Sequence, residues 1–143
     1  MPTVSRTFTV TPRPQVVIDY LKDFSRAEEW DPGTQTCTQT GSAPVEVGTT
    51  WRNVSKIAGV TTELEYKLTQ LSDAGLVLVG RNKSVTSTDT ITVLPSGEGS
   101  EVTYRADLDM HGAAALMAPA MKLIFEKIAD DTEKQMTEVL NSL

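Results

Sequence analysis

Among the residues able to carry chemistry, Asp89 has the most telling setting. In SVTSTDTITVL, Ile91 and Val93 define an inward strand face, and the same parity brings Ser87 and Asp89 onto it. A carboxylate carried indoors needs partners or a raised pKa, which is how general bases arise; at the open end of a strand it is simply solvated. Arg81 ends the preceding strand, where it either pairs with Asp89 or an acidic ligand or stays an exposed hairpin arginine. Tyr66 and Tyr104 fall on inward faces, and their hydroxyls call for a ligand, a water or Asn53 as partner. His111, the one histidine, lies in DLDMHG, where a strand turns toward a terminal helix. With Asp89 and Tyr104 it makes a weak catalytic set suited to an aldol cyclisation, in which an α-carbon proton is removed and a carbonyl polarised. The alternatives are a turn histidine without function or, with Asp107 or Asp109, a weak metal site.

These residues must be positioned by elements that the pattern makes readable. VSRTFTV alternates Val4, Arg6, Phe8 and Val10 against Ser5, Thr7 and Thr9, the signature of a half-buried strand. In TPRPQVVIDYLKDF, prolines tolerated at a helix start precede Val17, Leu21 and Phe24 at helical spacing, giving a helix of about three turns. SRAEEW adds a second short helix, which Asp31-Pro32-Gly33 ends. From Thr34 to Met110 the chain reads as six strands separated by turns near residues 41, 57, 72, 81 and 95. TELEYKL sets Leu64, Tyr66 and Leu68 against Glu63, Glu65 and Lys67; EVTYRADLDM repeats the device. The inward face of GLVLVG stays open, because both of its faces are apolar. A terminal helix follows, with Met117, Met121, Ile124, Phe125, Ile128, Met136, Val139 and Leu143 along one stripe and Pro119 near its start.

At 143 residues and 39% hydrophobic content, the chain fits one domain, residues 1–143. The single cysteine, Cys37, excludes an intramolecular disulfide and a cysteine-only metal cluster, and points to a reducing compartment. The N-terminus has neither a basic nor an apolar leader region, and no stretch approaches the ~18 apolar residues of a membrane span, so a cytoplasmic protein without stable membrane insertion is expected. A net charge of −6 without a lysine or arginine cluster argues against nucleic acid as partner. Monomer and homodimer both stay open.

The order strand, two helices, six strands, long helix implies an α+β fold: a curved seven-stranded antiparallel sheet around a single long helix. A helix about 10 Å across cannot plug such a concave face, so space remains between sheet and helix. Facing that space are Leu64, Tyr66, Asp89, Ile91 and Tyr104 from the strands and Met117, Met121 and Phe125 from the helix. Trp51 shares a strand face with Asn53, an apolar wall carrying a placed polar atom. Trp30 either covers one end of the core or touches a ligand as a lid residue.

The run FTVTPRPQVVIDYLKDFSRAEEWDPG resembles the START-like, or helix-grip, superfamily, and within it the polyketide cyclase/dehydrase-type members. The resemblance is carried by Pro14-Gln15-Val16-Val17, Asp23, Trp30-Asp31-Pro32, EVGTTW at 46–51, LPSGEGSEVTY at 94–104 and MHGAAALMAPAMKLIFEKI, and covers essentially the whole chain. It implies a helix-grip domain with a pocket. The sequence shows no metal triad, no paired acid and base and no cofactor fingerprint, so neither metal nor cofactor is expected. The leading expectation is binding of a small hydrophobic molecule, such as a lipid, polyketide or isoprenoid. The alternatives are a polyketide cyclase or dehydratase acting by acid/base catalysis in the same space, and a protein-interaction module of chaperone or toxin–antitoxin type.

Overall fold

The first strand forms where the alternation predicts it. In a computed structural model that describes residues 2–143, β1 runs Thr3–Val10, with Val4 and Val10 buried and Ser5, Thr7 and Thr9 exposed. Proline at the start of α1 (Pro14–Leu21) supplies a preset φ without losing a needed donor, and Val17, Ile18 and Leu21 bury one face. A single 3₁₀ turn, Phe24–Arg26, follows; the Asp23 carboxylate starts it by accepting from the Ser25 backbone N–H at 3.1 Å and from its hydroxyl at 2.6 Å. The short α2 (Ala27–Trp30) then stops at Asp31-Pro32-Gly33.

Six strands come next: β2 (Thr34–Gln39), β3 (Thr50–Ile57), β4 (Val60–Ser72), β5 (Gly75–Arg81), β6 (Val85–Ser96) and β7 (Gly99–Met110). All neighbours pair antiparallel in one seven-stranded sheet of order β1-β7-β6-β5-β4-β3-β2. β1 and β2, consecutive strands of the chain, are therefore the two edges, and α1 and α2 carry the chain across. The register resolves β5: Leu76 pairs with Ile91 and Leu78 with Asp89, both inside, while Val77 and Val79 are half-buried on the outer face.

After a 3₁₀ segment, Gly112–Met117, the long α3 spans Ala118–Asn141, with Pro119 in its first turn. Its buried positions are Phe125, Ala129, Thr132, Met136 and Leu140, a narrower stripe than the apolar residues alone suggest. Met117 and Leu143 flank the helix and are 55% and 50% exposed, and Ile124 is half-buried, one step round from Phe125. Arg6 reaches from the inner face of β1 to Glu126 at 3.0 Å and Asp130 at 2.8 Å, tying α3 to that edge.

The interior divides along α3. Met136 and Leu140 pack into a solid cluster with Phe24, Trp30, Trp51 and Leu68. Phe125 and Ala129, about two to four turns nearer the helix start, join Val4 and Ala106 in a smaller cluster edged by the half-buried Tyr104, Leu108 and Met121. The helix is packed at one end and bridges space at the other.

Candidate functional site

Under the N-terminal half of α3 lies a cavity of about 670 Å³, within the range of small-molecule sites. Its mouth is framed by the β3–β4 hairpin at Ile57–Val60, the β5–β6 turn at Asn82 and Ser84, and the segment carrying Ala114 and Met117. Leu64, Val85, Leu108, Met121, Phe125 and Ile128 supply apolar wall. Where the cavity meets the solid cluster the lining turns polar: Tyr66, Ser87, Asp89, Tyr104, Asp31 and Ser55.

Each strand contributes by parity. On β6 the inward run is Val85, Ser87, Asp89, Ile91, Val93; the first three line the cavity, whereas Ile91 and Val93 belong to the solid cluster. Asp89 is 4% exposed. One of its oxygens accepts from the Ser87 hydroxyl at 2.9 Å, the other from the Tyr104 hydroxyl at a long 3.4 Å. Burial pushes its carboxyl up to about 7, the Ser87 hydrogen bond opposes that, and the nearby Asp31 charge adds to it. Burial also raises both tyrosine hydroxyls well above their ordinary range, with the Asp89 charge as second cause, so both stay protonated donors.

Asp31 sits in the turn after α2, accepting from the Gly33 N–H at 3.2 Å and the Thr34 hydroxyl at 2.8 Å. Burial raises its pKa against those two hydrogen bonds. Asn53 stands behind this group: its amide donates to Thr34 at 3.1 Å and its carbonyl accepts from Ser55 at 2.6 Å. It positions Asp31 and Ser55 without reaching the cavity itself.

Of the residues singled out from the sequence, Leu64, Tyr66, Asp89, Tyr104, Met117, Met121 and Phe125 line the cavity. Trp30, Trp51, Asn53 and Ile91 do not; they are at most 2% exposed and lie behind the polar floor. Trp30 stands edge-on to Tyr104 at 6.0 Å, and Phe24 lies 4.5 Å from Tyr66, so buried aromatics support the floor tyrosines. Neither indole N–H has an acceptor among the described residues. His111 is exposed outside the cavity, with its Nε2 3.0 Å from the Thr86 hydroxyl. Asp107 is taken by Arg105 and the Thr3 hydroxyl. Arg81 is exposed on the outer side of β5, its neighbour Gly80 being the inward residue. Cys37 is buried, its thiol pushed up to about 12 by burial, which makes it structural rather than reactive.

Gly80 shapes the floor. A Cβ there would fall 2.5 to 2.6 Å from three ring carbons of Tyr66, which lies across the glycine. Gly80→Ala is expected to lift the Tyr66 ring into the cavity, destabilising the fold by about 1–3 kcal/mol and weakening uptake of an apolar probe. Unchanged probe binding together with an unchanged thermal midpoint would count against this role. Sequence reasoning missed Gly80 and Asp31. The first is visible only through its cross-strand partner Tyr66, and the second is hidden in Asp-Pro-Gly, where it reads as turn chemistry.

Residues 1–137 match the sequence family described as polyketide cyclase / dehydrase and lipid transport. No curated protein sequence matches the chain. Among solved structures, a protein from Thermus thermophilus superposes with a TM-score of 0.82 at 14% identity, covering 99% of this chain and 98% of that one. A START superfamily protein from Mycobacterium smegmatis gives 0.81 at 12% identity, covering 98% and 97%. The Zhui aromatase/cyclase from Streptomyces sp. R1128 gives 0.75 at 12%, covering 98% and 91%. At such identities the likeness is one of fold.

Proposed function

The chain belongs to the polyketide cyclase / dehydrase and lipid transport family, and on that premise we propose that it binds a small, mostly hydrophobic molecule between sheet and α3. The observation that carries this reading is the cavity of about 670 Å³, apolar along its walls and polar at one end. A site of that kind takes up the body of a guest by burial and orients it through a few placed hydrogen-bonding groups. Lipids, polyketides and isoprenoid-like molecules all fit this description. Native mass spectrometry of the protein purified from its own host tests it. The expected result is a noncovalent companion on the order of a few hundred daltons that is lost on denaturation. Protein that emerges bare and takes up no apolar probe at micromolar concentrations would end the reading.

A second reading is favoured by one contact. Asp89, buried beside the Tyr104 hydroxyl and with its carboxyl near 7, has the setting of an acid/base group. A guest carrying a 1,3-dicarbonyl could lose its α-proton to Asp89 while Tyr104 donates to the carbonyl oxygen, which is the first half of an aldol closure. His111, outside the cavity, has no place in that step.

A further inference from the structure

The cavity lining has a one-sided charge. Asp31, Glu63 and Asp89 face it, and among the described residues no lysine, arginine or histidine does. Glu63 is at the mouth and pairs outward with Arg52, whose guanidinium donates to it at 2.9 Å. Asp31 and Asp89 are the inner two, both lining the polar end of the cavity, and the Asp31 charge is felt at Asp89. Their hydrogen bonding is incomplete. A carboxylate offers about four acceptor positions; Asp89 fills two, one of them at only 3.4 Å, and Asp31 fills two. Around them stand the neutral donors and acceptors Ser87 on β6, Tyr66 on β4 and Tyr104 on β7, and α3 contributes Thr132 with no charged group.

We propose that the guest is a cationic amphiphile: an apolar body ending in a protonated amine that docks between Asp89 and Asp31. The proposal rests on the reading of the cavity as a binding site and adds the chemistry of the guest's polar end. An anionic head, such as a fatty acid carboxylate, would face two like charges in a desolvated place with no cation to meet it, which is unfavourable on both counts. A neutral hydroxyl would satisfy one acceptor and leave the paired negative charges as they are. An ammonium brings three donors and the missing positive charge. The elevated carboxyl of Asp89 is the mark of a negative charge held without such a partner.

The test compares n-dodecylamine, n-dodecanol and n-dodecanoate, each below its micelle concentration at about pH 8, where the amine is protonated, by displacement of a fluorescent apolar probe. The amine is expected to bind at least about tenfold more tightly than the alcohol, with the carboxylate weakest. Asp89→Asn, nearly the same shape without the charge, should collapse the amine-to-alcohol ratio to within about threefold, chiefly through loss of amine affinity. Asp31→Asn serves as the second variant, should Asp89→Asn fold poorly. Equal binding of all three compounds, tighter binding of alcohol or carboxylate, or a ratio that survives both substitutions overturns the amine while leaving the cavity a binding site. Displacement by none of them sinks both.

Discussion

Asp89→Asn is expected to raise the thermal midpoint of the guest-free protein by about 5–10 °C at about pH 8 and to leave it nearly unchanged at about pH 4. The carboxyl titrates near 7 in the folded chain because burial disfavours its charged form. In the unfolded chain it titrates near its ordinary value of about 3.9. Between those two values the folded state holds the proton and the unfolded state does not, so stability falls as pH rises through that window. Above about pH 7 the full cost is present. Three pH units correspond to about 4 kcal/mol at most, and relaxation around the group brings the expected figure to about 2–4 kcal/mol. Asparagine keeps the shape and never ionises, so the variant escapes the loss. Melting curves of both proteins across pH check it: a gap that is flat in pH, or that widens toward acid, would show that Asp89 is not the buried titrating group.

Phe24→Ala should cost about 3–5 kcal/mol, measured by denaturant unfolding. The ring is 1% exposed and stands among three others, 6.1 Å from Trp30, 6.1 Å from Trp51 and 4.5 Å from Tyr66. Deleting it opens a hole beneath the cavity floor that its large neighbours can fill only in part. Its second effect is functional. Without that support Tyr66 tips downward, the cavity enlarges, and guest affinity drops with stability. Phe24→Leu, which keeps most of the volume, should lose no more than about 1.5 kcal/mol. A loss below about 1 kcal/mol for the alanine variant would mean that the floor is held elsewhere.

Period-two alternation made the sheet legible because each strand has one wet and one dry face. TELEYKL and EVTYRADLDM wear that contrast openly, and the inward sides of β4, β6 and β7 follow from it. GLVLVG did not yield, since its outer face is itself half covered and keeps valines; only pairing with Ile91 and Asp89 decides it. The same alternation explains what was readable of the site. It tells which face a side chain takes, and so Tyr66, Asp89 and Tyr104 could be found. It says nothing of depth along the strand. Trp51 and Ile91 share the inward face but lie past the floor, in the solid cluster. Gly80 escaped for a related reason: an absent side chain has no pattern, and its meaning comes from the ring laid over it. Along α3 the apolar residues outlined the stripe, but Ala129 and Thr132, small or polar, are among its buried members. Their modest size leaves the space between that part of the helix and the sheet unfilled.

The unequal packing of α3 separates two tasks that many binding proteins must reconcile. Met136 and Leu140 root one end in dense aromatic ground, while the stretch from Ala118 to Phe125 hangs over the cavity, joined to the sheet through the smaller cluster around Val4 and Ala106. Local opening therefore concentrates in the second stretch, whose breathing exposes little that was ever tightly held. A guest can slip beneath that half of the rod while the other half keeps the architecture cooperative, so admission and folding draw on different parts of one helix.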